Sequence, residues 1–144
     1  MDKETKTFRL TIKTPLETVF DNDVKSLVVD TDEGKMMVLP HHTSLVGNIK
    51  FSNIIVSIND QIKEYSIRRG FINISNDNNN TEILCIHCEQ TQTLTYTSVE
   101  TYLNFLSKEL EADNLNPYQL QFLGDEKFAV IKQLNSIKND GKKN

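Results

Sequence analysis

The sequence contains no tryptophan, only two cysteines and three prolines, and no long apolar run. No stretch approaches the roughly 20 apolar residues of a bilayer-spanning helix, so direct insertion into a bilayer is not expected. Residues 1–13 lack the apolar segment of a signal peptide, and Asp2 and Glu4 argue against an acid-poor transit peptide. We therefore expect a cytosolic protein with free thiols, whose association with a membrane would depend on partners.

Glycine is also scarce, with five residues in 144. The motifs G-x-x-x-x-G-K-[ST] and G-x-G-x-x-G, whose glycines let a loop enclose phosphate groups, are absent, as is the nucleophile motif G-x-S-x-G. The formal net charge is −4 and no polybasic segment is present, which argues against binding nucleic acid through general charge attraction. These absences argue against an enzyme and against a nucleic-acid-binding protein.

The first 90 residues carry a repeated strand pattern. Phe8, Leu10 and Ile12 alternate with polar residues, which is the period of a half-buried strand. Further apolar runs, separated by polar turns, cover residues 24–29, 35–39, 51–58, 62–67, 70–75 and 82–88. Short strands at close spacing, without a helical pattern, predict an antiparallel two-sheet β-sandwich over residues 1–90.

The pattern becomes helical after a polar linker at residues 91–96. Apolar residues then recur at three- and four-residue spacing, which predicts an antiparallel α-helical hairpin over residues 97–144. Thr97 and Glu100 fit a capping box, in which each side chain bonds to the backbone of the other residue. The first helix is therefore expected to begin at Thr97.

The second helix has a start signal of its own. Asn116 suits the N-cap, Pro117 the first helical position and Gln119 the third. Gly124 lies inside the apolar pattern and costs roughly 1 kcal/mol relative to alanine. It could split the helix, with Asp125 capping the second piece.

Three segments within residues 14–72 resemble one family. Residues 14–20 read TPLETVF, residues 34–45 read GKMMVLPHHTSL, and residues 69–72 read RGFI. They are similar to the epsilon subunit of bacterial F-type proton-translocating ATP synthases (delta in mitochondria), whose pattern is approximately P-E-x-x-V-F, then G-x-x-G-I-L-P-x-H-x-P-L, then G-G-F. Met37, Ser44 and Arg69 depart from it, and each could reshape a turn.

The resemblance implies a non-catalytic subunit of the central stalk, which couples proton flow through the c-ring to rotation of gamma and to ATP synthesis. The implied partners are gamma and the c-ring, with no nucleic acid. The implied location is the cytoplasmic face of the bacterial inner membrane, peripheral through the complex. By resemblance, the loop that contacts the c-ring supplies Lys35, Met36, His41, His42 and Ser44.

The resemblance also gives the hairpin a regulatory role. The family's hairpin can extend to restrain ATP hydrolysis by docking on the catalytic alpha/beta hexamer. The second helix carries more lysines than carboxylates, and the candidate contacts are Lys127, Lys132 and Lys138. Some family members bind ATP through an I/L-D-x-x-R-A stretch, whereas residues 93–98 here read TLTYTS. We therefore expect no cofactor and no ATP bound to the hairpin.

Other patterns leave alternatives open. Cys85 and Cys88 form C-x-x-C, which could be a redox pair or half of a zinc site. Period two would place them on opposite faces of a strand, so we interpret the segment as a core strand. His41, His42 and His87 could serve a small metal-dependent enzyme, although we prefer a polar loop anchor for His42. The remaining alternative is a free-standing β-sandwich module that binds another protein or a glycan.

Overall fold

The computed structural model describes residues 6–142, and their side chains as far as residue 138. They form two compact units, divided between Thr91 and Gln92. The first unit contains the strands β1 (Phe8–Lys13), β2 (Thr18–Val24), β3 (Ser26–Thr31), β4 (Gly34–Val38), β5 (Leu45–Ile58), β6 (Gln61–Ser75) and β7 (Asn80–Gln90). After a 3₁₀ turn (Thr91–Thr93), the second contains the helices α1 (Tyr96–Leu110) and α2 (Pro117–Lys142).

The seven strands form one hydrogen-bonded sheet in the order β2-β1-β7-β6-β5-β3-β4. Neighbouring strands run antiparallel except β1 and β7, which pair in parallel with Arg9 opposite Asn80. Phe20 of β2 and Tyr65 of β6 are not on neighbouring strands, yet their ring centroids lie 5.9 Å apart. The sheet therefore folds over itself around one apolar core, which confirms the predicted β-sandwich.

Several details of the sheet differ from the sequence-based expectation. Strands β5, β6 and β7 have 14, 15 and 11 residues and are not short, and β6 unites the two strands predicted at residues 62–67 and 70–75. The strand β2 was not predicted, because Asp21, Asn22 and Asp23 are polar and exposed and interrupt the apolar alternation. The two predicted sheets are one continuous sheet with a parallel pair.

An irregularity in β6 explains how one strand can serve both layers. Tyr65 and Ile67 face the core before it, and Ile72 and Ile74 face the core after it, so the inward set shifts by one residue. The shift occurs near Arg69, whose φ of 56° lies in the left-handed region that non-glycine residues seldom adopt. The strand therefore turns over at this point and continues into the other layer.

In the neighbouring strands β5 and β7, the set of inward-facing residues shifts at the same level of the sheet. Ile49 and Ile54 of β5 are both in the core although five residues apart, and Cys85 and Cys88 of β7 both contact it although three apart. Gly70 stands opposite Cys85 in the register. A Cβ at Gly70 would lie 2.7 Å from the Cα of Cys85, so the strands approach there more closely than any side chain permits. This level of the sheet is the fold line of the sandwich.

Helix α1 begins one residue before the predicted start. Its N-cap is Thr95, whose hydroxyl accepts from the Ser98 N–H at 3.1 Å, while the Ser98 side chain bonds back to the Thr95 N–H. The box at Thr97 and Glu100 is therefore wrong. At the third helical position, the hydroxyl of Ser98 takes the place of the carboxylate that the motif led us to expect. Because the N-cap is Thr95, the linker ends before residue 96.

Helix α2 begins as the sequence predicts. The Asn116 Oδ1 accepts from the Gln119 N–H at 2.8 Å, and Gln119 Oε1 accepts from the Asn116 N–H at 2.9 Å. Gly124 does not split the helix, which runs without a break from Pro117 to Lys142. The two helices share a core formed by Val99, Leu106 and Val130, with Leu94, Tyr102, Leu103, Leu123, Leu134 and Ile137 packed against it.

Candidate contact surfaces

Two loops at one end of the sandwich are tied together by side-chain hydrogen bonds. The His41 N–H donates to Asn79 Oδ1 at 2.7 Å, and Asn76 Nδ2 donates to the His41 carbonyl at 2.8 Å. The Asn76 N–H donates to Ser44 Oγ at 2.8 Å. The loop at residues 39–44, which follows β4, is therefore fixed to the loop at residues 76–79, which follows β6.

Asn79 extends this network to the first strand. Its φ is 49°, and its Nδ2 donates to the Thr7 carbonyl at 2.9 Å. Its own carbonyl accepts from the Arg9 N–H at 3.3 Å. Three parts of the chain that lie far apart in sequence therefore meet at one side chain.

The turn between β3 and β4 lies beside the start of β5. Gly34 has a φ of 121°, and Thr31 Oγ1 bonds to both the Gly34 carbonyl and the Glu33 N–H at 3.1 Å. The Asp32 N–H donates to the Asn48 carbonyl at 2.9 Å, only three residues beyond the first residue of β5. We call residues 31–35, 39–46 and 76–79 the loop end.

The predicted contact residues divide into outward and inward groups. Lys35 and His41 are exposed, whereas His42 is half-buried and its Nδ1 lies 2.7 Å from the Thr43 carbonyl. This contact confirms the interpretation of His42 as an anchor of its own loop. Met36 is half-buried and packs against the core, whereas the neighbouring Met37 is 56% exposed, so Met37 offers more surface to a partner than the predicted Met36.

The loop end also presents apolar side chains. Leu39, Leu45 and Val46 are exposed, the last by 67%. A surface that combines a lysine, a histidine and several exposed apolar residues on hydrogen-bonded loops suits a protein partner better than a small ligand. Sequence reasoning missed Asn76 and Asn79, which it placed in a polar loop tip. The available signal was their residue type, because asparagine adopts positive φ and bonds to nearby backbone more readily than other residues.

The histidines do not form a metal site. His87 lies on β7, half-buried, with its Nε2 3.3 Å from Glu89 Oε1. Over residues 6–142, no three histidine, cysteine or acidic side chains are placed to hold a metal ion. The metal-dependent alternative therefore has no site in the part of the chain that the structure describes.

The expectation that Cys85 and Cys88 lie on opposite faces of a strand is wrong. The fold line brings both to the core side of β7, where a strictly alternating strand would have separated them. Their side chains share a hydrogen bond, which lowers the pKa of Cys85 and, together with burial, raises the pKa of Cys88. Both are free thiols. Their placement against the apolar core of the β-unit suits core packing.

The hairpin presents one mixed surface on α2. Phe128, Ile131 and Lys138 are exposed and share a face by their spacing, and Lys132 Nζ lies 4.7 Å from the centre of the Phe128 ring. Lys127 is half-buried. Lys132 and Lys138 are thus available to a partner, and Lys127 is less so. In residues 6–142, neither helix is apolar over the length that crossing a bilayer requires.

Comparison with known proteins decides the family. The family model described as "ATP synthase, Delta/Epsilon chain, beta-sandwich domain" matches residues 7–91, which is more than half of the chain. The chain belongs to this family. The resemblance found in the sequence is therefore confirmed, and the match coincides with the β-unit described above.

Relatives of this chain are found in bacteria and plastids. The ATP synthase epsilon chain of Alkaliphilus oremlandii is 30% identical over 71 residues, covering 49% of this chain and 53% of the relative. That of Alkaliphilus metalliredigens is 37% identical over 70 residues, covering 49% and 52%. The match thus spans about half the length of these two relatives. The chloroplastic epsilon chain of Marchantia polymorpha is 26% identical over 102 residues, covering 71% and 74%.

Solved structures show the same fold. A chain of the Euglena gracilis mitochondrial ATP synthase (OSCP/F1/c-ring) superposes with a TM-score of 0.62 at 16% identity, covering 88% of this chain and 82% of the other. A chain of the Tetrahymena thermophila mitochondrial ATP synthase (central stalk/c-ring) gives 0.58 at 12% identity, covering 92% and 99%. At these identities the likeness establishes the fold alone.

The structure shows how this chain accommodates one departure from the family pattern. The family pattern has two glycines before the phenylalanine, whereas this chain has Arg69 followed by Gly70. Arg69 takes the left-handed conformation that a glycine would adopt without strain. The backbone geometry of the fold line is thus present without the residue that favours it.

Proposed function

We propose that the chain is the epsilon subunit of the central stalk of an F-type ATP synthase and that it performs no catalysis itself. The relatives are ATP synthase epsilon chains, and one assembly with the same fold is described as a central stalk with its c-ring. The observation in this chain that carries the proposal is the loop end, a set of loops joined by side-chain hydrogen bonds that also presents exposed apolar side chains.

The loop end suits a part that conveys torque. A coupling element must deform little under load, and closely packed interiors resist deformation. The asparagine bonds extend that stiffness from the core to the surface, because the loops at residues 39–44 and 76–79 cannot move independently. A loop held in place also loses less conformational entropy when it binds. In the proposal Lys35 and His41 contact the c-ring, while His42 and Ser44 hold the loop's shape.

The outer surface of the sandwich is the proposed contact for gamma. Ile62 is 73% exposed, and Ile55, Phe71 and Ile86 are exposed by 36 to 46%. Phe71 and Ile86 line a shallow cleft of about 410 Å³ that is bounded by Pro15. Exposed apolar side chains are typical of protein interfaces, and two of these four line the cleft.

The hairpin is proposed to restrain ATP hydrolysis by contact with the catalytic alpha/beta hexamer. The exposed face of α2, with Phe128, Ile131 and Lys138, offers apolar area together with positive charge. We place the subunit at the cytoplasmic face of a bacterial inner membrane, attached through the complex. Two bacterial relatives support this location, although plastid relatives share the family.

The test of the coupling role is a variant with Lys35→Glu, His41→Ala and His42→Ala, assembled into the complex in membrane vesicles. We expect ATP hydrolysis to continue while ATP-driven proton pumping falls about ten-fold, because the loop end would no longer hold its contact with the c-ring under load. Lys63→Glu, a charge reversal at an exposed position of β6, is the matched control and should leave pumping unchanged. Full coupling in the triple variant would contradict the proposal.

Co-purification separates this proposal from a free-standing module. A tagged chain should recover gamma and the catalytic hexamer, whereas a module of another kind would recover neither.

Nucleotide binding gives a further test of the hairpin. We propose that the chain binds no ATP, because the segment at residues 93–98 offers hydroxyls and neither the aspartate nor the arginine of the family motif. Calorimetric titration of the full chain with ATP should show no saturable heat. Tight stoichiometric binding would contradict it.

A further inference from the structure

The face of α2 that joins the hairpin core contains two buried polar residues. Leu123, Val130 and Ile137 recur at seven-residue spacing and belong to the apolar core of the hairpin. Glu126 and Gln133 are also seven residues apart, and each is only 2% exposed. Apolar and polar residues therefore alternate along the buried side of the helix, at positions that heptad packing reserves for apolar side chains.

Glu126 is held by a residue of the other helix. The Tyr102 hydroxyl donates to Glu126 Oε2 at 2.6 Å, the short distance of a bond to a carboxylate. A buried carboxylate has lost its water, and the bond returns part of that loss only while the helices are packed. When the helices separate, water solvates the carboxylate again. Leucine at the same position would gain nothing from separation.

We propose that Tyr102, Glu126 and Gln133 form a latch that sets how often the hairpin opens. The Tyr102–Glu126 bond holds the helices in one register, since a carboxylate that shifts along the interface would lose its donor. The two buried polar side chains keep the packed state weak enough to open. This inference rests on the proposed function for its purpose, because restraint of hydrolysis would require α2 to leave α1.

The latch predicts opposite effects for two kinds of substitution. Tyr102→Phe removes the hydroxyl that donates to Glu126 Oε2 and leaves the carboxylate buried, so the hairpin should open more often. The double variant Glu126→Leu, Gln133→Leu replaces both polar residues by apolar ones of similar size, so the hairpin should open less often. A merely structural role would make every substitution at a buried position loosen the hairpin.

Amide hydrogen exchange on the full chain measures the opening, because separation of α1 from α2 removes the tertiary packing that supplies most of the stability of a helix in a protein. For Tyr102→Phe we expect protection in α1 and α2 to fall about ten-fold, the loss of a bond to a charged group. For the double leucine variant we expect protection to rise several-fold. Protection in β1 should not change. Tyr118→Phe and Gln121→Leu are the controls, because both positions are exposed.

The results separate this inference from the function it rests on. If the double leucine variant lowers protection, or if Tyr102→Phe leaves it unchanged, the latch is refuted. If protection shifts as expected, the latch stands. ATP hydrolysis by the assembled complex then tests the proposed restraint: the leucine variant should hydrolyse ATP faster than the original chain. An unchanged rate, with the shift in protection present, would refute the restraint and not the latch.

Discussion

Replacement of Gly70 by alanine is expected to lower the free energy of unfolding of the sandwich by about 3 kcal/mol, the upper part of the range for overpacked sites. The added Cβ would lie 2.2 Å from the Leu84 carbonyl oxygen and 2.7 Å from the Cα of Cys85. Both atoms belong to the backbone, so no side-chain rotation can relieve the contact. Urea denaturation followed by the circular dichroism of the sheet measures the change.

Two controls make that result specific. Gly124→Ala adds the same methyl group where nothing lies within 4 Å, and it should stabilise α2 by about 1 kcal/mol through helix propensity. Arg69→Gly replaces a strained residue next to Gly70 and should leave stability unchanged or higher. If Gly70→Ala were as stable as the original chain, the strands would be farther apart at the fold line than the structure has them.

Replacement of Asn79 by alanine should have the second largest effect, a loss of about 2 kcal/mol from one half-buried bond, one exposed bond and the strain of a positive φ. The bonds are those to the His41 N–H and to the Thr7 carbonyl. The loop at residues 39–44 should also become mobile. Thermal unfolding and backbone NMR relaxation of that loop are the measurements.

Two further substitutions at Asn79 separate the contribution of its side-chain hydrogen bonds from that of its backbone conformation. Asn79→Gly keeps the conformation and removes the side chain, so it isolates the hydrogen bonds. Asn79→Asp keeps the acceptor for the His41 N–H but loses the donor to Thr7. A glycine variant as stable as asparagine, with an ordered loop, would show that the side chain does not tie the loops together. In the assembled complex the alanine variant should also couple less well, because a mobile contact surface transmits force poorly.

Much of the fold follows from local patterns. The alternation of Phe8, Leu10 and Ile12 and the cap at Asn116 each depend on residues within a few positions of one another, and both predictions are confirmed. The predicted N-cap of α1 at Thr97 was wrong because more than one residue near it fits the capping motif. Hydroxyl residues are frequent around residue 95, and serine at the third helical position serves as well as glutamate.

The other errors depend on contacts between distant residues. No local signal shows that Arg69 adopts a left-handed conformation, or that Cys85 and Cys88 of β7 both contact the core although they are three residues apart. The role of Asn79 is hidden for the same reason, since its partners lie 38 and 72 residues away. Gly124 is tolerated because the rest of a 26-residue helix, packed on α1, outweighs its propensity. The loop residues could be named from the family pattern, but not which methionine faces outward.

The parallel pairing of β1 with β7 has a consequence for biosynthesis. Strand β1 can pair with β2 soon after both are synthesised, but Arg9 must wait for Asn80 before the other edge of β1 is covered. Until then the nascent chain exposes an open edge that could pair with a neighbouring polypeptide on the same polysome. Stopping translation before β7 emerges should therefore yield chains that aggregate or are captured by chaperones. Release after residue 91 should yield a folded sandwich, whether or not the hairpin has been made.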